Sequence, residues 1–148
     1  MAGIVVRRAE RGDVEQLTRL MLLYIVDFYR HPEPPPERLR TLIDVLFEGT
    51  EGLQLVAEED GNLVGFATLY FTWSTLNAAR IAVMNDLYVM EAARGTGIAR
   101  PLFEACRAEA RDRGCAEMTW ETAADNHRAQ RFYEKMGGRR GSWVTYSI

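Results

Sequence analysis

Residues 83–99 read VMNDLYVMEAARGTGIA, an apolar strand pattern that runs into a turn and a helix start bearing little side chain. The first amides of such a helix have no intrahelical acceptor, and the helix dipole adds partial positive charge at the same point. A strand feeding a glycine-bearing helix start is therefore an anion site. Gly95 and Gly97 matter because a Cβ at either would keep a phosphate-bearing ligand away from the backbone amides of residues 95–100. About thirty residues later, NHRAQRFY over residues 126–133 reads as a second helix that carries a phenol near its first turns. Asn126 stands where an N-cap is wanted, and Ala129, Phe132, Tyr133 and Met136 share one helix face.

The elements around these two segments follow from periodicity. Residues 4–6 read as a short strand, and Asp13 with Gln16 three residues on has capping-box spacing for a helix. In that helix Val14, Leu17, Met21, Tyr24 and Phe28 recur at helical spacing and are expected to face the core. The run His31-Pro32-Glu33-Pro34-Pro35 cannot be helical, whereas Pro36 suits the first position of a second helix with an apolar stripe of Leu39, Leu42, Ile43 and Leu46, ending at Gly49. Residues 53–58 and 63–73 are strands joined at Asp60-Gly61, a hairpin signal because the turn needs positive φ. The pattern predicts further strands over 81–90, 116–122 and 142–147 and helices over 98–113 and 126–136. Pro101 restricts how early the first of these helices can begin. The order β-α-α-β-β-β-α-β-α-β argues an α+β layer fold, a twisted and mostly antiparallel sheet flanked by helices.

Composition narrows the function. With 148 residues the chain reads as one domain, 1–148. Eighteen basic against 21 acidic side chains leave no basic stripe for a phosphate backbone, so nucleic acid is not an expected partner. The apolar run over residues 20–26 is too short to span a bilayer and the start of the chain lacks a signal-peptide pattern, so the expectation is a cytoplasmic protein with no membrane partner. Cys106 and Cys115 have no His or carboxylate at ligand spacing, and no metal is expected.

Arg94-Gly95-Thr96-Gly97-Ile98-Ala99 resembles the R-x-x-G-x-A pyrophosphate loop of the GNAT superfamily of acetyl-CoA-dependent N-acetyltransferases. The spacing from NDLYV to RGTGIA fits, and residues 126–138 resemble the family's segment N-x-x-A-x-x-F-Y-E-K-x-G. The resemblance implies the GNAT-like fold and acetyl-CoA as co-substrate. It implies that Leu87, Tyr88 and Val89 lie on a splayed strand facing the pantetheine, with the Val89 amide near the thioester oxygen as an oxyanion-hole donor. Arg94, Gly95, Thr96, Gly97, Ile98, Ala99 and Arg100 would hold the pyrophosphate and Asn126 the cofactor arm. Tyr133 falls on the position of the general acid that protonates the departing thiolate.

An attacking amine must first lose a proton, which at pH 7 costs roughly 4.6 kcal/mol for a group of pKa ~10.4. Asp86 and Glu121 are the carboxylates placed to start a water-mediated proton path. The stretch over residues 70–89 and the close GSWVTYSI look like the diamine and spermidine/spermine acetyltransferase branch. That branch usually has Glu-Asp where this chain has Asn85-Asp86, and asparagine accepts no proton. Asp27, Asn85 and Asp86 are candidates for holding the acceptor, with Glu33 a further one. The reading is thus acetyl transfer to a small-molecule amine, diamine- or polyamine-like, and it leaves a homodimer open. The alternatives are an amino acid, aminoglycoside or protein amine as acceptor, or a non-catalytic acyl-CoA-binding regulatory domain. A Rossmann module fails because Arg100 stands where the third glycine is needed.

Overall fold

The hairpin signal at Asp60-Gly61 is realised with φ of +52° and +80°, the pair of left-handed residues that a two-residue turn needs to match strand twist. It joins β2 (Gly52–Glu59) to β3 (Asn62–Ser74) in a computed structural model that describes residues 3–148. β1 (Ile4–Arg8) pairs with β2 and β4 (Ala79–Val89) with β3, all antiparallel. β5 (Met118–Thr119) lies parallel to β4 and completes a mixed sheet of order β1-β2-β3-β4-β5.

Apolar stripes place the helices. α1 (Val14–Leu22) and α2 (Pro36–Glu48) bury Leu17, Leu20, Leu39 and Ile43 on one sheet face with Phe66 and Tyr88. α3 (Ala99–Asp112) covers the other, where Leu102, Phe103 and Cys106 meet Leu69 and Met84. Phe132, Tyr133 and Met136, on and just after α4 (His127–Lys135), join that second cluster. Side chains of this size each contribute about 1.5–3 kcal/mol when fully buried, which fixes the layer order. Pro36 opens α2, Gly49 closes it at φ +76°, and Pro101 sits in the first turn of α3, where its missing N–H would have had no intrahelical acceptor. Cys106 and Cys115 are free thiols.

Three expectations are corrected. Asp13 does not cap α1 with its side chain: the carboxylate turns back to accept from Arg7 at 2.7 and 2.9 Å and from the Glu10 amide at 2.7 Å. The Arg7 guanidinium holds that carboxyl below its usual range, while Gln16 instead bridges to the β2–β3 turn through the Leu63 amide. The first helix does not continue in α form to Phe28. Leu23–Phe28 is a π-helical segment, closed by Tyr29 N–H donating to the Tyr24 carbonyl at 3.1 Å. Its wider turn rotates the following side chains off the α1 stripe, so Leu17 and Met21 are buried but Phe28 is 43% exposed. Finally, the strand expected over 142–147 does not form, and that expected over 116–122 pairs only at two residues. The first shortfall arises because residues 139–148 make no backbone hydrogen bonds, the second because β4 and β5 separate beyond Val83 and Thr119.

Gly65 in β3 shows how tightly the sheet meets α3: a Cβ there would lie 2.9 Å from the Tyr88 carbonyl and 3.1 Å from Leu102 Cδ1. Gly65→Ala is therefore expected to destabilise the fold by about 1–3 kcal/mol through overpacking, read from urea unfolding. No change in midpoint would mean that β3 and β4 shift freely at this point.

Candidate active site

β4 and β5 pair only at Ala82–Met118 and Val83–Thr119, so the last six residues of β4, which lead into the start of α3, have no strand paired on the β5 side among the described residues. The geometry of this open edge depends on a bulge. Thr68 lies opposite Asp86 and Leu69 opposite Met84, which leaves Asn85 as an extra residue in β4. Adding one residue exchanges the faces of everything that follows. Met84 accordingly belongs to the cluster under α3, whereas Tyr88 belongs to the cluster under α1. Leu87 and Val89 pack toward α3.

The loop after β4 meets the demands of an anion site. A short turn at Glu91–Ala93 precedes Gly95 and Gly97, at φ +82° and +83°, and α3 begins at Ala99. The amides of residues 95–100 donate to no backbone or side-chain acceptor among the described residues. Thr96 Oγ1 donates to the Ala93 carbonyl and braces the turn. A Cβ built on either glycine meets nothing within 4 Å, so the space over the amides is open to a ligand. These observations fit a pyrophosphate held by backbone N–H groups at a helix N-terminus.

Arg94 has its backbone in that loop, but its side chain packs toward the π-helical segment. Nε donates to the Val89 carbonyl at 2.8 Å, and the guanidinium lies 5.5 Å from the ring centres of both Phe28 and Tyr88. No carboxylate pairs with it among the described residues.

Asn126 is the N-cap of α4, its Oδ1 accepting from the Ala129 amide at 3.1 Å. Two helical turns beyond, Tyr133 packs among Trp120, Phe132 and Phe103 with ring centres 5.4, 5.5 and 6.4 Å away. Burial, with a smaller contribution from the Tyr29 phenol, pushes its pKa up to about 12. Tyr133 therefore stays protonated across any working pH. A phenol at that value is uphill of a thiolate of pKa ~8.5 by about 5 kcal/mol, more than the roughly 2 kcal/mol of an unperturbed tyrosine.

On the opposite face, Asp86 is 9% exposed and accepts from Asn85 Nδ2 at 2.9 Å. Burial and then the Asp86 charge raise the Tyr24 and Tyr70 phenols, and Tyr29 adds to the effect at Tyr24. The Tyr29 ring lies 5.0 Å from that of Tyr24, edge to face. Residue patterns pointed to Tyr24 as core and gave no signal for Tyr29, because the π-helical turn over residues 23–28 that sets where they lie has no sequence signature. Glu121 is exposed and accepts from Thr145 Oγ1 at 3.1 Å, with no contact that ties it to Asp86. Asp27 and Glu33 are exposed; the Tyr88 phenol is raised by burial first, against the lowering effect of Arg94, with Asp27 adding to the rise. No group of three or more metal-ligating side chains occurs among the described residues, and no helix there is long and apolar enough to cross a membrane.

A sheet whose two parallel strands pair at only two residues, free amides at a glycine-bearing helix start and a protonated phenol on the next helix are features that suit an acyltransferase taking a phosphate-bearing thioester. Residues 17–138 match the model of the acetyltransferase (GNAT) family, and the chain belongs to it. A D-amino-acid N-acetyltransferase of Saccharomyces cerevisiae is 32% identical over 90% of this chain and 83% of its own length. A thialysine N-epsilon-acetyltransferase of Sus scrofa is 27% identical over 94% and 86%. Among solved structures, the aminoglycoside N-acetyltransferase AAC(6')-Iy in complex with CoA superimposes with a TM-score of 0.87 at 18% identity, covering 100% of this chain and 95% of that one. The protein is thus an N-acetyltransferase with the GNAT fold.

Proposed function

We propose that the protein moves the acetyl group of acetyl-CoA directly to a primary amine of a small, diamine- or polyamine-like acceptor. The observation that carries the acceptor reading is the Asp86 carboxylate, buried by the bulge beside Tyr24 and Tyr70, with the part-exposed rings of Phe28 and Tyr29 packed on Tyr88 and Tyr24. A carboxylate withdrawn from water and bordered by aromatic faces suits a cationic amine head. In this reading the amides of residues 95–100 hold the pyrophosphate, and Asn126 keeps its Nδ2 for the cofactor arm. Asp86 orients the ammonium and starts a water path for its proton, an inefficient one because Asn85 adds no second acceptor. The neutral amine attacks the thioester carbon, the carbonyl oxygen gains negative charge beside the Val89 amide, and collapse expels a thiolate that takes its proton from Tyr133. From ammonium to amide the nitrogen sheds two protons. The first goes through water toward Asp86, and the second leaves the tetrahedral nitrogen and returns through water to the Tyr133 phenolate, so one proton reaches sulfur and one is released to solvent.

Arg94 favours a second acceptor class. Its guanidinium, fixed at Nε and lying on two rings without an acidic partner, is set to receive a carboxylate, and the yeast and pig relatives are named for amino-acid acceptors. Thiol release measured with diamines, polyamines, amino acids and aminoglycosides separates the two readings. Turnover confined to amines that carry a carboxylate, lost in Arg94→Gln, would replace the diamine reading with the amino-acid one.

Position 85 gives a pH expectation. Because Asn85 accepts no proton, kcat/KM toward the amine should keep rising to about pH 9 as the free-amine fraction grows, with no fall from Tyr133 in that range. Asn85→Glu should flatten the rise and move its onset downward. A profile already level at pH 7 in the parent would assign deprotonation to another group, Glu121 first.

A further inference from the structure

Among the described residues four polar or charged side chains are buried, Asp13, Gln54, Thr68 and Asp86. Asp13 is met by Arg7, and the other three form one row across the sheet. Gln54 of β2 lies opposite Thr68 of β3, and Thr68 lies opposite Asp86 of β4, at the bulge. The next row on the same face is apolar, with Val56 opposite Phe66 and Phe66 opposite Tyr88. An amide and a hydroxyl set into such a core disfavour the fold unless they are hydrogen-bonded. Their pairing has a direction. Gln54 Nε2 donates to Thr68 Oγ1 at 3.1 Å and to Met21 Sδ of α1 at 3.5 Å. With its oxygen used as acceptor, the wholly buried Thr68 hydroxyl still has a proton to give, and a buried donor finds an acceptor. The side chain facing it in register, on the side away from Gln54, is the Asp86 carboxylate. Directly opposed residues of an antiparallel pair stand about 4.5–5.5 Å apart at Cβ, within reach of a hydroxyl and a carboxyl group. Asn85 Nδ2 donates to Asp86 Oδ1 at 2.9 Å.

We propose that Thr68, with Gln54 behind it, is the positioning residue of the acceptor site: Gln54 fixes the Thr68 hydroxyl as a donor to Asp86, and that bond holds the carboxylate in the direction from which an amine head is received. This rests on Asp86 as the group that orients the ammonium and adds what keeps its carboxylate rigid. A carboxylate has about four lone-pair sites, so donors from Thr68 and Asn85 leave sites for the ammonium. Without the Thr68 bond the Asp86 side chain turns more freely, and an ammonium held in a wandering direction presents its nitrogen off line with the thioester carbon. The row ends in an amide, which has no proton to pass on. It therefore orients the carboxylate and leaves proton removal to water.

Thiol release at saturating acetyl-CoA is measured with 1,4-diaminobutane, spermidine and lysine, and the best of the three serves for the variants. Thr68→Val keeps the shape and deletes the hydroxyl. It is expected to lower kcat/KM toward that amine about 10-fold, with the acetyl-CoA Kd within a factor of about two and no fall in melting temperature. Thr68→Ser restores the donor and should bring kcat/KM back to within about 3-fold of the parent. Asp86→Asn is itself expected to lose about 10²-fold, and in that background Thr68→Val should add no further loss, because the bond it deletes no longer serves a charge. Gln54→Leu combined with Thr68→Val leaves no orphaned amide and carries the same expectation if the single variant folds poorly. An unchanged kcat/KM in Thr68→Val, an equal loss in Thr68→Ser, or the same loss repeated on top of Asp86→Asn would each overturn the role of Thr68 while leaving Asp86 as the anchor. Parent-like turnover in Asp86→Asn, or no turnover with any of the three amines, would overturn the reading of Asp86 and the role of Thr68 with it.

Discussion

Tyr133→Phe should lower kcat by about 10²-fold or more while leaving acetyl-CoA affinity within a factor of about two, because it deletes one proton donor and preserves the ring. The ring sits among Trp120, Phe132 and Phe103, and phenylalanine fills the same space, so the fold gives no reason for instability. The raised pKa sharpens the expectation. A phenol near pKa 12 is a weak acid, and a proton donor of that kind depends on a thiolate held against it away from water. Steady-state rates and single-turnover rates of thiol release should therefore fall together. Activity within a factor of about three of the parent would make Tyr133 a packing residue and water the donor.

Gly97→Val should abolish acetyl-CoA binding, with a loss of at least 10²-fold in Kd by calorimetry and a fold intact by circular dichroism. Two effects act together. At φ +83° a β-branched residue is strained by roughly 1–2 kcal/mol or more, which shifts the loop amides away from their common focus. The added side chain also projects into open space, where it meets no protein atom and can meet only the ligand. The same emptiness is why the domain should survive the change. Affinity unchanged in the folded variant would reject residues 94–100 as the pyrophosphate site.

Much of the site was legible because its chemistry is local. Glycines at 95 and 97, the cap at Asn126 and the phenol at 133 are each fixed by a few neighbouring residues, through turn conformation, orphan amides and helix phase. The hairpin at Asp60-Gly61 and the ends of α2 are local in the same sense. What the sequence determined alone was therefore the order of most of the elements, the glycine-bearing helix start with its free amides and the helix that carries the phenol. Tertiary structure decided the surroundings of Asp86. The extra residue at Asn85 shows only against its partner strand, and it is this mismatch with Leu69 and Thr68 that sends Asp86 to the face of Tyr24. The π-helical segment depends on how the end of α1 packs over Phe66 and Tyr88, and it turns Phe28 and Tyr29 outward. Strand pairing is non-local as well, which is why the patterns over 116–122 and 142–147 read as full strands while the single chain forms two residues of one and none of the other. Alternation states which residues can line a sheet; only an edge within hydrogen-bonding reach makes them a strand.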